Sequence, residues 1–166
     1  MIHEFAVENF LSFKEEQILS FEATASKAFE NFYVVKKGNF RLLKICLLYG
    51  ANGSGKTNLL KALAQLKQLT TVASSHKDAH IPIIPFLLDE ESKTQPTRFR
   101  LSFFVGDTRY IYLLALTRTH IVKEKLSFYP GTQPAILFHR QYDAESRQQP
   151  SNLELKLDYR QRKRQF

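Results

Sequence analysis

The chain has 166 residues, 24 Lys and Arg against 16 Asp and Glu for a formal net charge of +8, and 43% apolar residues. Apolar content at the globular norm with 13% aromatics excludes a disordered or collagen-like chain and predicts a single folded domain. The longest apolar stretch, Ile81 to Leu88, contains Pro82 and Pro85 and falls far short of the roughly 20 residues of a membrane-crossing helix. The chain opens without a basic segment leading into an apolar core, so the expectation is a cytoplasmic protein. A single cysteine, Cys46, excludes an intrachain disulfide framework and a multi-thiolate metal site. Its place inside an apolar run predicts a buried core residue. Half of the net charge comes from Arg160, Arg162, Lys163 and Arg164, so residues 1–159 read as the domain and 160–166 as a solvated basic tail.

In chain order, Ile2 to Phe10 and Gln17 to Phe21 carry strand-like apolar content and predict two adjacent strands. Ala23 to Asn39 is mixed and ends in the turn cluster Lys36-Lys37-Gly38-Asn39. The dense apolar run Leu42 to Tyr49 predicts a buried strand. Glycines follow at once, and Leu59, Leu63, Leu66 and Val72 recur at helical spacing from about Gly55 to Ala73. Ser74 to Pro96, with three prolines, reads as a surface excursion. Beyond it, Phe99, Leu101, Phe103 and Val105 alternate with polar residues. Gly106-Asp107 makes a two-residue turn, and Tyr110, Tyr112, Leu114 and Leu116 complete a hairpin. Alternation at Val122 to Phe128 and a weaker run at Ala135 to His139 extend it to an antiparallel sheet of three or four strands, and Leu153, Leu155 and Leu157 form a last alternating stretch.

The chemistry concentrates in Gly50-Ala51-Asn52-Gly53-Ser54-Gly55-Lys56-Thr57, which matches G-x-x-x-x-G-K-[ST] in full between a predicted strand and a predicted helix. Random sequence would supply the four fixed positions in about 1% or less of chains this long. A polyphosphate must be held by closely approaching donors. Small residues let the backbone amides of residues 52–57 curl around it, and the following helix turns its positive end toward the same anion. Lys56 reaches the outer phosphates as the catalytic cation, and the Thr57 hydroxyl is the Mg²⁺ ligand. The predicted ATP and Mg²⁺ site therefore comprises Gly50, Ala51, Asn52, Gly53, Ser54, Gly55, Lys56, Thr57 and the adjoining Asn58.

The strings Asn9-Phe10-Leu11-Ser12-Phe13 and Gly50 to Leu60, with Pro85-Phe86, Arg98-Phe99 and Glu124-Lys125-Leu126 further on, resemble the N-terminal lobe of ABC-type P-loop ATPases of the SMC and RecF kind. They are most similar to bacterial RloA-like and abortive-infection AAA ATPases. The resemblance implies an α/β fold in which a mixed sheet carries the nucleotide and an antiparallel β arm packs beside it. It also implies a role in DNA repair or anti-phage defence, with DNA as a partner. In such proteins two heads sandwich ATP, so a second ATPase lobe or head, in a homodimer or as a split partner, is the implied partner. Relatives carry a basic residue in the first-strand loop; Leu11 stands there instead.

That family needs a Walker B run ending in Asp-Glu and a signature Ser-Gly segment. Ile83 to Glu90 imitates the first, but Pro85 cannot donate to a central ladder, and the family places its Walker B after the whole arm. Asp89 and Glu90 therefore read as loop acids. The expectation is a truncated or split ATPase that binds ATP and does not hydrolyse it alone. A complete small kinase or GTPase using Asp89 for Mg²⁺ and a non-catalytic remnant are the alternatives.

Other candidates carry less. His76 and His80, with Asp78 between, lack a third metal ligand and read as a solvated loop. His3, His120 and His139 have no nucleophile and carboxylate to form a triad. Glu124 falls on an apolar strand face, where an acid needs a partner, and Arg98 or Arg100 is the expected one.

Overall fold

A computed structural model of the chain describes residues 1–72 and 80–142; the expected strand at 153–157, the tail at 160–166, and His76 and Asp78 lie outside the described residues. Its frame is a six-stranded sheet built from β1 (Ile2–Glu8), β2 (Gln17–Ser20), β5 (Thr97–Val105), β6 (Thr108–Leu116), β7 (Ile121–Tyr129) and β8 (Ala135–Gln141) in the order β2-β1-β5-β6-β7-β8. Alternation sets the faces. Cross-strand partners put Phe5, Leu101, Tyr112, Leu126 and Phe138 in one row, with Val7, Phe99, Leu114, Glu124 and Arg140 beside them. Such a period-2 pattern buries one face and wets the other. The β5–β6 hairpin turns at Gly106, whose φ of 58° lies in the left-handed region that a tight turn demands.

Helix α2 (Lys56–Thr71) lies on the apolar face. Ala62 and Leu66, one turn apart, are its buried residues and join Phe5, Val7, Phe10 and Phe99 in the core, with Leu59, Leu63 and Leu69 packed alongside. Burying a leucine side chain stabilises by about 1.5–3 kcal/mol, so this stripe fixes the helix, and with it the loop before its first turn.

Two expectations are corrected. The run Leu42 to Tyr49 is not one buried strand. Only Phe40–Leu43 (β4) is strand, paired with β3 (Val34–Lys37) in a two-stranded ribbon that follows the single-turn helix α1 (Glu30–Tyr33). Leu42 is fully buried, but Leu47 is 83% and Tyr49 93% exposed, and Cys46 is exposed as well. No backbone hydrogen bond engages residues 45–49 among the described residues. A strand exists only where a neighbour accepts and donates its ladder bonds, and none stands beside this run among the described residues. For the same reason the sheet is not mixed there: every pairing among the described residues is antiparallel.

The predicted surface excursion is also tied into the core. Ile83 and Ser92 are buried, and a short helix α3 (Glu90–Thr94) interrupts it. The anchor is Asn9, buried just after β1. Its Nδ2 donates to the carbonyls of Ser92 at 2.8 Å and Gln95 at 2.9 Å, and its Oδ1 accepts from the Phe86 amide at 3.0 Å. Asn9 adopts φ 52°, a left-handed conformation asparagine tolerates better than other side-chain-bearing residues.

Candidate functional site

Residues 50–55 connect the exposed run to α2, with Gly53 at φ 81° and Gly55 at φ 90°. No side chain caps the amino end of α2 and no acid sits in its first turn. The amides of residues 55–58 find no main-chain acceptor among the described residues, the helical ladder starting with Leu59 donating to Gly55 O at 3.0 Å. Open amides at the positive end of a sixteen-residue helix form an anion site. Lys56 folds across the loop, Nζ donating to Gly50 O at 2.8 Å, Ala51 O at 2.7 Å and Ser54 Oγ at 3.3 Å. A phosphate oxygen could replace these neutral acceptors with a charged one, a stronger partner for an ammonium. Thr57, one residue on, presents an exposed hydroxyl-bearing side chain.

The first-strand loop packs against this site. The Phe13 ring lies so near Gly55 that a Cβ there would come within 2.7 Å of Phe13 Cε1. Asn58 Nδ2 donates to Ser12 Oγ at 2.8 Å. Sequence reasoning noted residues 9–13 only for a resemblance and assigned none of them to the site; the signal was the short polar break between two strand patterns, ahead of the glycine loop. Leu11, at φ 50°, donates its amide to Ile84 O at 3.0 Å and packs on the core.

Asp89 accepts from Ser92 N at 2.7 Å, capping α3, and pairs with Lys14 Nζ at 3.0 Å. The Ser92 amide and the Lys14 ammonium hold its carboxyl below the usual carboxylate range. Residues 83–88 form no strand, and Glu90 pairs with Lys93.

Glu124 does lie on the apolar face, but its partner is Arg140, directly across on β8, with the Tyr112 hydroxyl donating to its other oxygen. Arg98 and Arg100 point to the opposite face and pair with Glu8 and with Glu4 and Glu16. Period-2 alternation dictates this, since Phe99 shares the Glu124 row and its neighbours cannot. Burial, then the Glu124 carboxylate, pushes the Tyr112 phenol up.

His3 departs from expectation: its Nδ1 meets Ser102 Oγ at 3.0 Å and its Nε2 lies 3.7 Å from the Glu22 carboxylate, a serine and an acid on either side of the ring. Ser102 is buried, however, and the Nε2 contact is too long for a hydrogen bond. His120 Nδ1 lies 2.9 Å from Thr119 Oγ1. No group of three or more metal-ligating side chains occurs among the described residues, and none of their helices is long and apolar enough to cross a membrane. A cavity of about 740 Å³ lies between the later turns of α2 and the apolar sheet face, lined by Leu63, Leu66, Leu101, Phe103, Tyr112 and Phe138. It is apart from the phosphate loop, and its apolar lining is unsuited to a polyphosphate.

A glycine loop of this sequence, opening a helix on an α/β scaffold, defines a P-loop ATPase domain. The family model described as "AAA domain, putative AbiEii toxin, Type IV TA system" matches residues 45–163, more than two thirds of the chain, and the chain belongs to that family. No curated protein matches it.

Proposed function

We propose that the chain is the ATP-binding lobe of an ABC- or SMC-like ATPase in an anti-phage or DNA-repair system, whose hydrolysis needs Walker B and signature residues from a second lobe or head. The observation that carries the reading is the phosphate loop itself: Gly50, Gly55, Lys56 and Thr57 in motif register at an uncapped helix end with open amides. The donor set fits a nucleoside triphosphate. Gly50 to Lys56 would hold the phosphates, Thr57 would bind Mg²⁺, and Asn58 closes the loop against Ser12. The cation, when bound, neutralises phosphate charge.

The partner reading rests on residues 45–49. A continuous apolar run whose backbone makes no main-chain hydrogen bond among the described residues has the composition of a strand buried in the middle of a parallel sheet. A second lobe supplying such neighbours would cover Ile45, Leu47 and Tyr49, all exposed here. DNA is the further partner that the resemblance suggests. Asp89 is committed to capping α3 and to Lys14, which disfavours the small-kinase alternative.

The test is titration of the chain with a fluorescent ATP analogue at millimolar Mg²⁺. Saturable binding is expected, weakened about tenfold or more in Lys56→Ala by loss of the charge-assisted contact, with turnover at background until a second lobe is added. Equal binding by Lys56→Ala would overturn the assignment, and phosphorylation of an added nucleotide acceptor would favour the kinase alternative.

A further inference from the structure

The six residues from Asn9 to Lys14 face two ways. Toward the phosphate loop they present the Phe13 ring, in contact with Gly55, and Ser12 Oγ, bonded to Asn58 and 3.7 Å from the place of a Gly55 Cβ. Away from it, Asn9 holds the carbonyls of Ser92 and Gln95, Leu11 donates to Ile84, and Lys14 pairs with Asp89. The turn is closed on itself by reciprocal bonds between Phe10 and Phe13, at 2.9 and 2.8 Å. It is therefore a braced element, and its braced side is not the side that meets Gly55.

Gly53 and Gly55 have the conformational freedom that a phosphate cradle needs, and that freedom works against binding unless something limits it. A rigid wall on one side of Gly55 restricts the peptide planes whose amides must converge on one anion, so less ordering is left to the binding step. We propose that Phe13, assisted by Ser12, is a positioning residue of the phosphate loop: it fixes Gly55 and the first turn of α2, and acts on the phosphates only through their amides. This rests on the phosphate-loop reading and adds to it a role for side chains outside the motif.

The ring's mode of action separates two outcomes. A wall behind the loop affects every polyphosphate alike, whereas a ring that touches the base affects only nucleotides. The experiment measures the affinity of the full chain for Mg-ATP and for Mg-tripolyphosphate in the parent, Phe13→Ala, Phe13→Leu and Ser12→Ala, with thermal melting of each. Phe13→Ala is expected to weaken both ligands by the same factor, about tenfold, Phe13→Leu to recover to within about threefold, and exposed Ser12→Ala to weaken both about threefold. Unchanged affinities in Phe13→Ala and Ser12→Ala, or a loss confined to ATP, would overturn the proposal. Should Phe13→Ala melt, Phe13→Leu and Ser12→Ala decide it: both equal to the parent for both ligands refutes the wall. A parent that binds neither ligand removes the phosphate-loop reading and this proposal together. A parent that binds both while the variants are indifferent removes this proposal alone.

Discussion

Replacing Asn9 tests the structure where it is most tightly specified. Its side chain makes three hydrogen bonds, to Ser92 O, Gln95 O and Phe86 N, and its backbone sits at φ 52°. Each lost bond costs about 1 kcal/mol, and alanine in the left-handed region adds about 1 kcal/mol relative to asparagine. Asn9→Ala should therefore lose about 3–4 kcal/mol, a large share of a typical domain's stability. Asn9→Gly keeps the backbone at ease but not the bonds, and should lose about 3 kcal/mol. Asn9→Asp conserves size yet turns an anion toward two carbonyls, so it should lose most. The chain has no tryptophan, so equilibrium urea unfolding is followed by far-ultraviolet circular dichroism. The predicted order of damage is Gly, then Ala, then Asp. An aspartate variant as stable as the parent, or an alanine variant within about 0.5 kcal/mol of it, would refute the reasoning.

Three further outcomes follow from the same geometry. Because the Tyr112 phenol is held above its ordinary range in the fold, the folded chain keeps a proton that the unfolded chain releases near pH 10. Stability is thus full below about pH 10 and lost as pH rises through it; Tyr112→Phe should flatten that alkaline fall in a melting series, and an unchanged profile would contradict it. At neutral pH the same variant loses a hydrogen bond to the Glu124 carboxylate, about 1.5–3 kcal/mol, measured by urea unfolding. Leu42→Ala should cost about 2–5 kcal/mol while Leu47→Ala stays within about 0.5 kcal/mol, five residues apart in one apolar run; equal losses would mean that Leu47 is buried after all.

The strands were legible because alternation is a local property. Phe99, Leu101 and Phe103 against Arg98, Arg100 and Ser102 announce a half-buried strand whatever surrounds them, and Gly106-Asp107 announces its turn. The phosphate loop was legible because its motif is contiguous. What failed depended on neighbours. Nothing in Leu42 to Tyr49 says that burial stops after Leu43, since hydrophobicity predicts what a segment would bury and not whether a second surface is there. Arg140 as the partner of Glu124 required the β7–β8 register, which a β-bulge between Leu126 and Ser127 shifts. Asn9 looked like a strand-end residue; its hold on residues 86, 92 and 95 crosses more than 75 positions of chain and leaves no local trace.

The central claim is that main-chain amides at the start of α2 grip a triphosphate. Its most direct test is two-dimensional amide NMR of the isotope-labelled chain titrated with Mg-ATP. The account predicts the largest shifts at Gly53, Gly55, Lys56 and Thr57, saturating together and needing about tenfold or more higher Mg-ATP in Lys56→Ala. Shifts centred instead on the groove lined by Leu66, Leu101 and Phe138, or none from folded protein, would contradict it.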